Sequence, residues 1–179
     1  MGRRCEFIRT PFQNRANEFA PTSMKLLIVS VGNKMPDWIA DGFKEYVKRM
    51  PREAQIVLVE VKPEARTTGK TPAQMMEAEA QRILHALPAG CLRIALDERG
   101  AQPTTKQLAA QMKNWLGAGQ DVAFIIGGAD GLHESVKHSA QHLMALSALT
   151  LPHAFVRVLL AEQLYRAHSV LNNHPYHRE

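Results

Sequence analysis

Residues 122–131 have the sequence VAFIIGGADG. The first five are all apolar, which is typical of a strand buried on both faces of a sheet. Gly127, Gly128 and Gly131 follow at once and predict a tight turn, because glycine lacks a Cβ atom and adopts positive φ at little cost. The segment therefore predicts a buried strand that ends in a glycine-rich loop.

Strands and helices alternate along the rest of the chain. Further apolar stretches predict strands at Leu26–Val31, Ile56–Val61 and Leu92–Leu96, and a strand-like stretch near Leu146–Leu151. Helices are predicted to begin at Pro36, at Thr71-Pro72, at Thr104 or Thr105, at Glu134 and at Pro152. This alternation predicts an α/β fold with a mostly parallel sheet and helices on both faces.

Ligands of such sheets bind beyond the carboxyl ends of the strands. In this chain that edge is expected to hold Leu96-Asp97, Gly127-Gly128 and the loop Ser147–Leu151. The glycines are consistent with a plain tight turn or with a ligand loop, and their position after a fully buried strand favours the ligand. They do not form the G-x-G-x-x-G fingerprint of dinucleotide-binding proteins.

Composition excludes several classes of protein. The chain has 179 residues, 45% of them hydrophobic, which is enough for a packed core. Cys5 and Cys91 are too few for a disulfide framework, and there is no C-x-x-C for zinc or redox chemistry. The apolar runs are too short to cross a bilayer. The net charge of +5 gives a weak indication of a polyanionic partner.

The first 23 residues differ from the rest. They contain four arginines, two glutamates and two prolines without helical or strand periodicity, and they lack the apolar region of a signal peptide. At Met24 the sequence changes abruptly to that of a buried strand. We therefore expect residues 1–23 to be an extension, disordered or absent from the native protein, and residues 24–179 to form a single domain.

Two local motifs are better explained without a ligand. Thr68 to Thr71 resembles the end of a phosphate-binding P-loop, but position 64, where that motif requires glycine, is Glu64. His138 and His142 are four residues apart on a predicted helix, but no third metal ligand accompanies them. We predict no metal site.

The C-terminal residues 172–179 have the sequence NNHPYHRE. A polar terminus is commonly disordered. This one, however, combines side chains suited to RNA chemistry: tyrosine stacks on bases, histidine exchanges a proton near neutral pH, and arginine binds phosphate or a base edge. The residues alone leave both interpretations open.

Three segments carry a resemblance to a known family. They are VGNKMPDW at 31–38, IIGGADGL at 125–132, and a C-terminal block with LSALTLPH at 146–153, AEQLYRA at 161–167 and NHPYHRE at 173–179. From Met24 to Glu179 the chain resembles the ribosomal RNA large-subunit methyltransferase H family of the SPOUT superfamily. Residues 1–23 have no counterpart in that family.

The resemblance implies a trefoil knot in the C-terminal half and a homodimer. It also implies a cytoplasmic enzyme that transfers a methyl group from S-adenosylmethionine to N3 of a pseudouridine in 23S rRNA on the assembled ribosome. Neither a membrane nor a metal is implied. Carried over by position, the cofactor-binding residues would be Leu96, Gly127, Gly128, Leu146, Ser147, Ala148, Leu149, Thr150 and Leu151.

The tail residues are the candidate catalytic groups. N3 of pseudouridine becomes a good nucleophile only after losing its proton, so we expect His177 to act as the base. Arg178 would stabilise negative charge or contact RNA, and Tyr176 would position the base by stacking or hydrogen bonding. In a homodimer the tail of one protomer is expected to complete the partner's site.

Two other functions have to be weighed. A nonenzymatic ribosome-binding factor that has kept the fold would need the basic surface but not an intact cofactor loop or tail. A nucleotide-dependent oxidoreductase is disfavoured because the dinucleotide fingerprint is missing.

Overall fold

A computed structural model describes residues 23–32, 34–66 and 69–177 of the chain. Two predictions fall outside this part. They are the extension over residues 1–23, of which only Ser23 is described, and the role of Arg178. Both stay predictions.

The fold is built on one five-stranded sheet with the order β2-β1-β4-β3-β5. The strands are β1 (Met24–Val31), β2 (Ala54–Val61), β3 (Leu92–Ala101), β4 (Val122–Ile126) and β5 (His142–Met144). All four neighbouring pairs are parallel. The predicted parallel sheet is confirmed, and β4 lies at its centre with all five residues buried.

Five helices cover both faces of the sheet, as predicted. They are α1 (Asp37–Val47), α2 (Pro72–Ala86), α3 (Thr105–Ala118), α4 (Glu134–Ser139) and α5 (His153–Leu171). Residues of α1, α3 and α5 pack on one face with Val122, Phe124 and Ile126, whereas residues of α2 and α4 pack on the other with Ala123 and Ile125. The side chains of β4 thus alternate between two apolar cores, as those of a doubly buried strand must.

Side-chain caps fix the starts of two helices. Thr71 and Thr104 each accept a hydrogen bond from the backbone N–H three residues on, and the glutamine there bonds back to the threonine N–H. The sequence left Thr104 and Thr105 open as caps, and Thr104 is the one that caps α3. At the other end of that helix Gly119 adopts the left-handed conformation (φ 60°).

Strand β3 is longer than predicted and β5 lies elsewhere. We expected the third strand to end at Leu96, but it continues to Ala101, whose carbonyl accepts a hydrogen bond from the N–H of Ala145 at 2.9 Å. This extension is polar, so its sequence carries no strand signal. Gly100 permits it, because a Cβ there would lie 2.5 Å from the backbone of Met144.

The strand-like stretch predicted near Leu146–Leu151 is a loop, and the fifth strand is His142–Met144. The alternation of leucines with small residues is strand-like, but Leu149 is 76% exposed and packs in no core. The chain leaves the sheet at Ala145 and begins α5 at His153. The trefoil knot stays a prediction.

Candidate active site

The strand register brings the three predicted cofactor segments to one edge of the sheet. Ala95 pairs with Ile125, so the next residue, Leu96, lies beside the end of β4, where the glycine loop begins. Leu96 also pairs with Met144, two residues before Leu146. Leu96 and Leu146 pack against the same apolar core. That these segments bind a cofactor stays a prediction.

The glycine loop is a close-packed turn. A Cβ at Gly127 would lie 2.6 Å from the carbonyl carbon and oxygen of Gly131, and Gly131 itself has φ 89°. The N–H of Gly131 donates to the carbonyl of Gly128 at 3.1 Å. A Cβ at Gly128 would meet side chains instead, 3.0 Å from Oε2 of Glu79. Gly127 is therefore required by the turn itself, whereas a Cβ at Gly128 would crowd the side chains of Glu79 and Val31 and not the backbone.

The loop Leu146–Leu151 offers backbone polar groups to a ligand. Ser147 Oγ accepts a hydrogen bond from the N–H of Leu149 at 2.9 Å. Within the described part of the chain, no N–H or carbonyl of residues 146–151 bonds to another backbone group. Ala148, Leu149 and Thr150 are exposed. Unpaired backbone donors and acceptors beside leucine side chains suit a cofactor that has both an apolar body and polar edges.

A cavity of about 260 Å³ adjoins these segments at the carboxyl ends of β1, β2 and β4. It touches the glycine loop at Gly128 and the start of α5 at His153, but Leu96 and residues 146–151 do not line it. Sequence analysis did not predict this cavity. Its walls come from segments that are far apart in sequence. The only sequence feature that pointed to this part of the molecule was the segment at 31–38.

Ion pairs organise the rim of the cavity. Arg66 and Asp130 lie 2.7 Å apart and connect the segment after β2 to the glycine loop. Glu64 pairs with Lys70 at 2.8 Å and with Arg82, and these two cations hold the pKa of the Glu64 carboxyl below its usual value.

A buried arginine fixes the side of the site formed by β1. Arg157 of α5 is 1% exposed and donates to Ser30 Oγ at 2.9 Å, to Glu60 at 2.8 Å and to the carbonyl of Gly32 at 2.5 Å. One turn earlier, burial lowers the pKa of the His153 imidazole, and the charge of Arg157 lowers it further. His153 is therefore uncharged at neutral pH.

The described part of the tail, residues 172–177, is folded back on α5. The N–H of His174 donates to the carbonyl of Ser169 at 2.9 Å. The Tyr176 ring lies 4.7 Å from that of Tyr165, and the guanidinium of Arg166 lies 4.8 Å from its centre. Burial of Tyr176 is the main cause that raises the pKa of its hydroxyl. His177 is half-buried in the same turn.

The tail and the cofactor segments of one chain lie at opposite edges of the sheet. Helix α5 begins at the carboxyl edge, where Arg157 contacts Gly32, and its 19 residues extend about 28 Å. Near its far end, Tyr165 packs against Tyr46 in the last turn of α1. The structure therefore does not bring Tyr176 and His177 to the cofactor segments of their own chain.

Two structural features are absent from the described residues. No helix there is long and apolar enough to cross a membrane. No group of three or more His, Cys, Asp or Glu side chains in the described ranges is arranged to hold a metal ion. His138 and His142 are exposed at the surface.

Comparison with known proteins gives consistent matches. The model of a family described as predicted SPOUT methyltransferase matches residues 24–177. Proteins named ribosomal RNA large subunit methyltransferase H are similar to the chain: those of Bordetella avium and Nitrosomonas eutropha are each 59% identical over 155 residues, which cover 87% of this chain and 99% of theirs. Among solved structures, a probable methyltransferase from Bordetella pertussis Tohama I has the same fold (TM-score 0.52, 16% identity), with 82% of this chain and 95% of that chain covered.

Proposed function

Because the chain belongs to the SPOUT methyltransferase family, we propose that it methylates N3 of a pseudouridine in 23S rRNA of the assembled ribosome, with S-adenosylmethionine as methyl donor. The observation that carries this proposal is the 59% identity to relatives named for large-subunit rRNA methylation, over almost their whole length.

The residues present fit the cofactor. The unpaired backbone groups of residues 146–151 supply donors and acceptors, and Leu96 and Leu146 supply an apolar wall. Gly127 lets the glycine loop turn sharply, and Gly128 keeps the neighbouring surface free of a side chain. When bound, S-adenosylmethionine supplies an activated methyl group. The three segments then have to hold that group in line with the nucleophile, and such positioning contributes a large part of catalysis.

The tail residues act on the RNA base. His177 accepts the N3 proton, which leaves the nitrogen electron pair free, and Arg178 stabilises the negative charge of the deprotonated base. Tyr176 is held by Glu162, Tyr165 and Arg166, and so fixes the turn that carries His177. Its raised pKa keeps the Tyr176 hydroxyl protonated and able to donate.

These residues have to meet the cofactor segments of a second protomer, because α5 separates the two sets within one chain. An exposed apolar face suits such a dimer. Trp38 is 64% and Phe155 is 42% exposed, their rings lie 6.4 Å apart, and Leu149 is exposed in the loop before α5. For the tail of each protomer to reach the partner's cofactor loop, the two-fold axis of such a dimer would cross α5 between this apolar face, at the start of the helix, and the tail.

The ribosome fits the modest charge of the chain. A net charge of +5 is small for an enzyme that recognises RNA, and the dimer doubles the basic surface offered to one particle. Ribosomes also place the enzyme in the cytoplasm.

The proposal is tested by measuring the transfer of tritium-labelled methyl groups from S-adenosylmethionine. Unmethylated ribosomes, free rRNA and a protein fraction are each offered separately as the acceptor. We expect label in 23S rRNA of the ribosomes, recovered as N3-methylpseudouridine after digestion. Binding to ribosomes without transfer of label would identify a nonenzymatic ribosome-binding factor instead. Label at another nucleotide would overturn the assignment of the substrate.

A further inference from the structure

The cavity beside the glycine loop shares only Gly128 with the proposed cofactor site. It touches the cofactor segments at Gly128, and His153 follows the loop Leu146–Leu151 by two positions. The other predicted cofactor residues do not line it. A second ligand in this cavity would therefore lie directly against the cofactor, which is where a methyl acceptor has to be.

The size and walls of the cavity suit one nucleobase. Its volume of about 260 Å³ lies below the roughly 300–1,000 Å³ typical of pockets for drug-sized ligands. Apolar side chains form much of the wall, namely Val31, Met35, Pro63 and Met75. Such walls pack against the flat faces of a base, and enzymes that modify a base within folded RNA turn it out into a fitted pocket of this kind.

His153 is placed to contact the edge of that base. Its Nε2 lies 3.6 Å from the position of a Cβ at Gly32, and no hydrogen bond joins its ring to another described residue. An uncharged imidazole carries one N–H donor. When N3 of a pseudouridine loses its proton, the negative charge is shared with the two carbonyl oxygens beside it, and an N–H donated to one of them stabilises that charge.

Lys34 supplies a cation at the mouth of the cavity. Its side chain is exposed and has no ion-pair partner among the described residues. Of the other charges that face the cavity, Arg66 pairs with Asp130 and Glu64 pairs with Lys70 and Arg82, whereas Glu79 accepts the N–H of Glu64 at 2.9 Å and has no cation partner among the described residues. An unpaired lysine beside a nucleobase pocket suits a phosphate of the RNA backbone.

We propose that this cavity receives the base of the target nucleotide, turned out of the RNA, with His153 donating a hydrogen bond to a carbonyl oxygen of the base and Lys34 contacting a neighbouring phosphate. This inference rests on the proposed function. The competing occupant is the amino-acid end of S-adenosylmethionine, whose carboxylate and ammonium would also find charged partners here.

Four variants and two measurements test the proposal. His153→Ala removes the donor, and Lys34→Ala removes the cation. His153→Asn keeps an N–H donor close to the position that the imidazole N–H occupied. His85→Ala, in the last turn of α2 at the opposite edge of the sheet, is the matched control. For each variant, kcat and KM are measured with unmethylated ribosomes, and the Kd of S-adenosylmethionine is measured by calorimetry.

We expect His153→Ala to lower kcat roughly a hundredfold, as loss of one charge-stabilising donor does elsewhere. His153→Asn should recover part of that loss. Lys34→Ala should raise KM on the order of tenfold at low salt, with kcat unchanged. The Kd of S-adenosylmethionine should stay within about twofold of wild type in every variant, because the cavity is next to the cofactor and not part of its site.

Two results would overturn the proposal. A Kd for S-adenosylmethionine weakened about tenfold or more, with KM for ribosomes unchanged, would assign the cavity to the cofactor. Wild-type kinetics in both His153→Ala and Lys34→Ala would show that the base binds elsewhere, and if His153→Ala failed to fold, an unchanged KM of Lys34→Ala would by itself contradict the proposed phosphate contact. If the wild-type protein itself transferred no methyl group to ribosomes, that result would instead contradict the proposed function.

Discussion

The hydroxyl of Tyr176 donates a hydrogen bond to Oε1 of Glu162 at 3.0 Å, and this bond holds the C-terminal turn against the middle of α5. The contact has a consequence for catalysis. A tail held by Glu162, Tyr165 and Arg166 contacts the middle and second half of α5, and not the cofactor loop that precedes the start of this helix. The same rigidity would present His177 in a defined orientation to a second protomer.

Deleting residues 174–179 is expected to abolish methyl transfer while leaving the affinity for S-adenosylmethionine nearly unchanged. The deletion removes the proposed base and its neighbours but no predicted cofactor residue. Methyl transfer to ribosomes and calorimetric Kd values measure the two effects. Tyr176→Phe, which keeps the ring on Tyr165 and loses the hydrogen bonds of the hydroxyl with Glu162 and Tyr46, should retain part of the turnover. Full turnover by the truncated chain would refute a role for the tail.

Trp38→Asp and Phe155→Asp are expected to dissociate the dimer and to reduce turnover in parallel. Each places a charge in the exposed aromatic pair proposed as part of the interface, where loss of an aromatic anchor weakens association on the order of 30-fold. Light scattering over a dilution series measures the dimer Kd. Lys113→Asp, on the exposed side of α3, is the control. Monomeric variants with wild-type turnover would contradict the shared site.

Substitutions at two adjacent glycines are expected to have different main effects, one on the affinity for the cofactor and the other on the stability of the fold. Gly128→Val should weaken the affinity for S-adenosylmethionine about tenfold or more, and it should cost less stability than a change at Gly127, because the new side chain meets the side chains of Glu79 and Val31 and not the backbone. Gly127→Ala should lower the free energy of unfolding by about 2 kcal/mol or more, because its Cβ meets backbone.

Gly117→Ala is the control for both glycine substitutions. It lies within α3 with open space around it, and it should stabilise the protein by about 0.5–1 kcal/mol. Calorimetry measures the Kd of S-adenosylmethionine, and urea unfolding measures the free energy of unfolding. Unaltered cofactor binding in Gly128→Val would count against the placement of the site.

Arg157→Met is expected to lower the free energy of unfolding by about 3 kcal/mol. The change leaves Ser30 Oγ and the carbonyl of Gly32 buried without the guanidinium they bond to. Arg52→Ala, at an exposed position, is the control and should change the free energy of unfolding by less than about 0.5 kcal/mol. Equal unfolding midpoints for the two variants in urea would show that the buried arginine does not stabilise the fold.

The core of the fold was predictable because its signals are local. Five apolar residues followed by two glycines defined β4 and its turn, and Thr71-Pro72 defined the start of α2. The register of a parallel sheet then brought Leu96 to the glycine loop. Such features depend on neighbours in sequence and on the geometry common to all parallel sheets.

The features that the sequence did not predict depend on tertiary contacts. Leu146–Leu151 has the composition of a strand, yet its leucines are left partly or largely exposed, and nothing local distinguishes the two outcomes. The extension of β3 to Ala101 is stabilised by a backbone bond to Ala145, far along the chain. The cavity combines the ends of three strands with the start of α2, so it exists only in the folded molecule.

Mixing two inactive variants tests the central claim, that the tail of one protomer completes the partner's site, most directly. One variant lacks residues 174–179 and the other carries Gly128→Val; they are combined in equal amounts under conditions that allow subunits to exchange. Half of the dimers are then mixed, and each mixed dimer has one site with an intact cofactor loop and an intact tail. We predict that transfer of tritium to ribosomes returns to about a quarter of the wild-type rate. A mixture no more active than the sum of its two components would contradict the account.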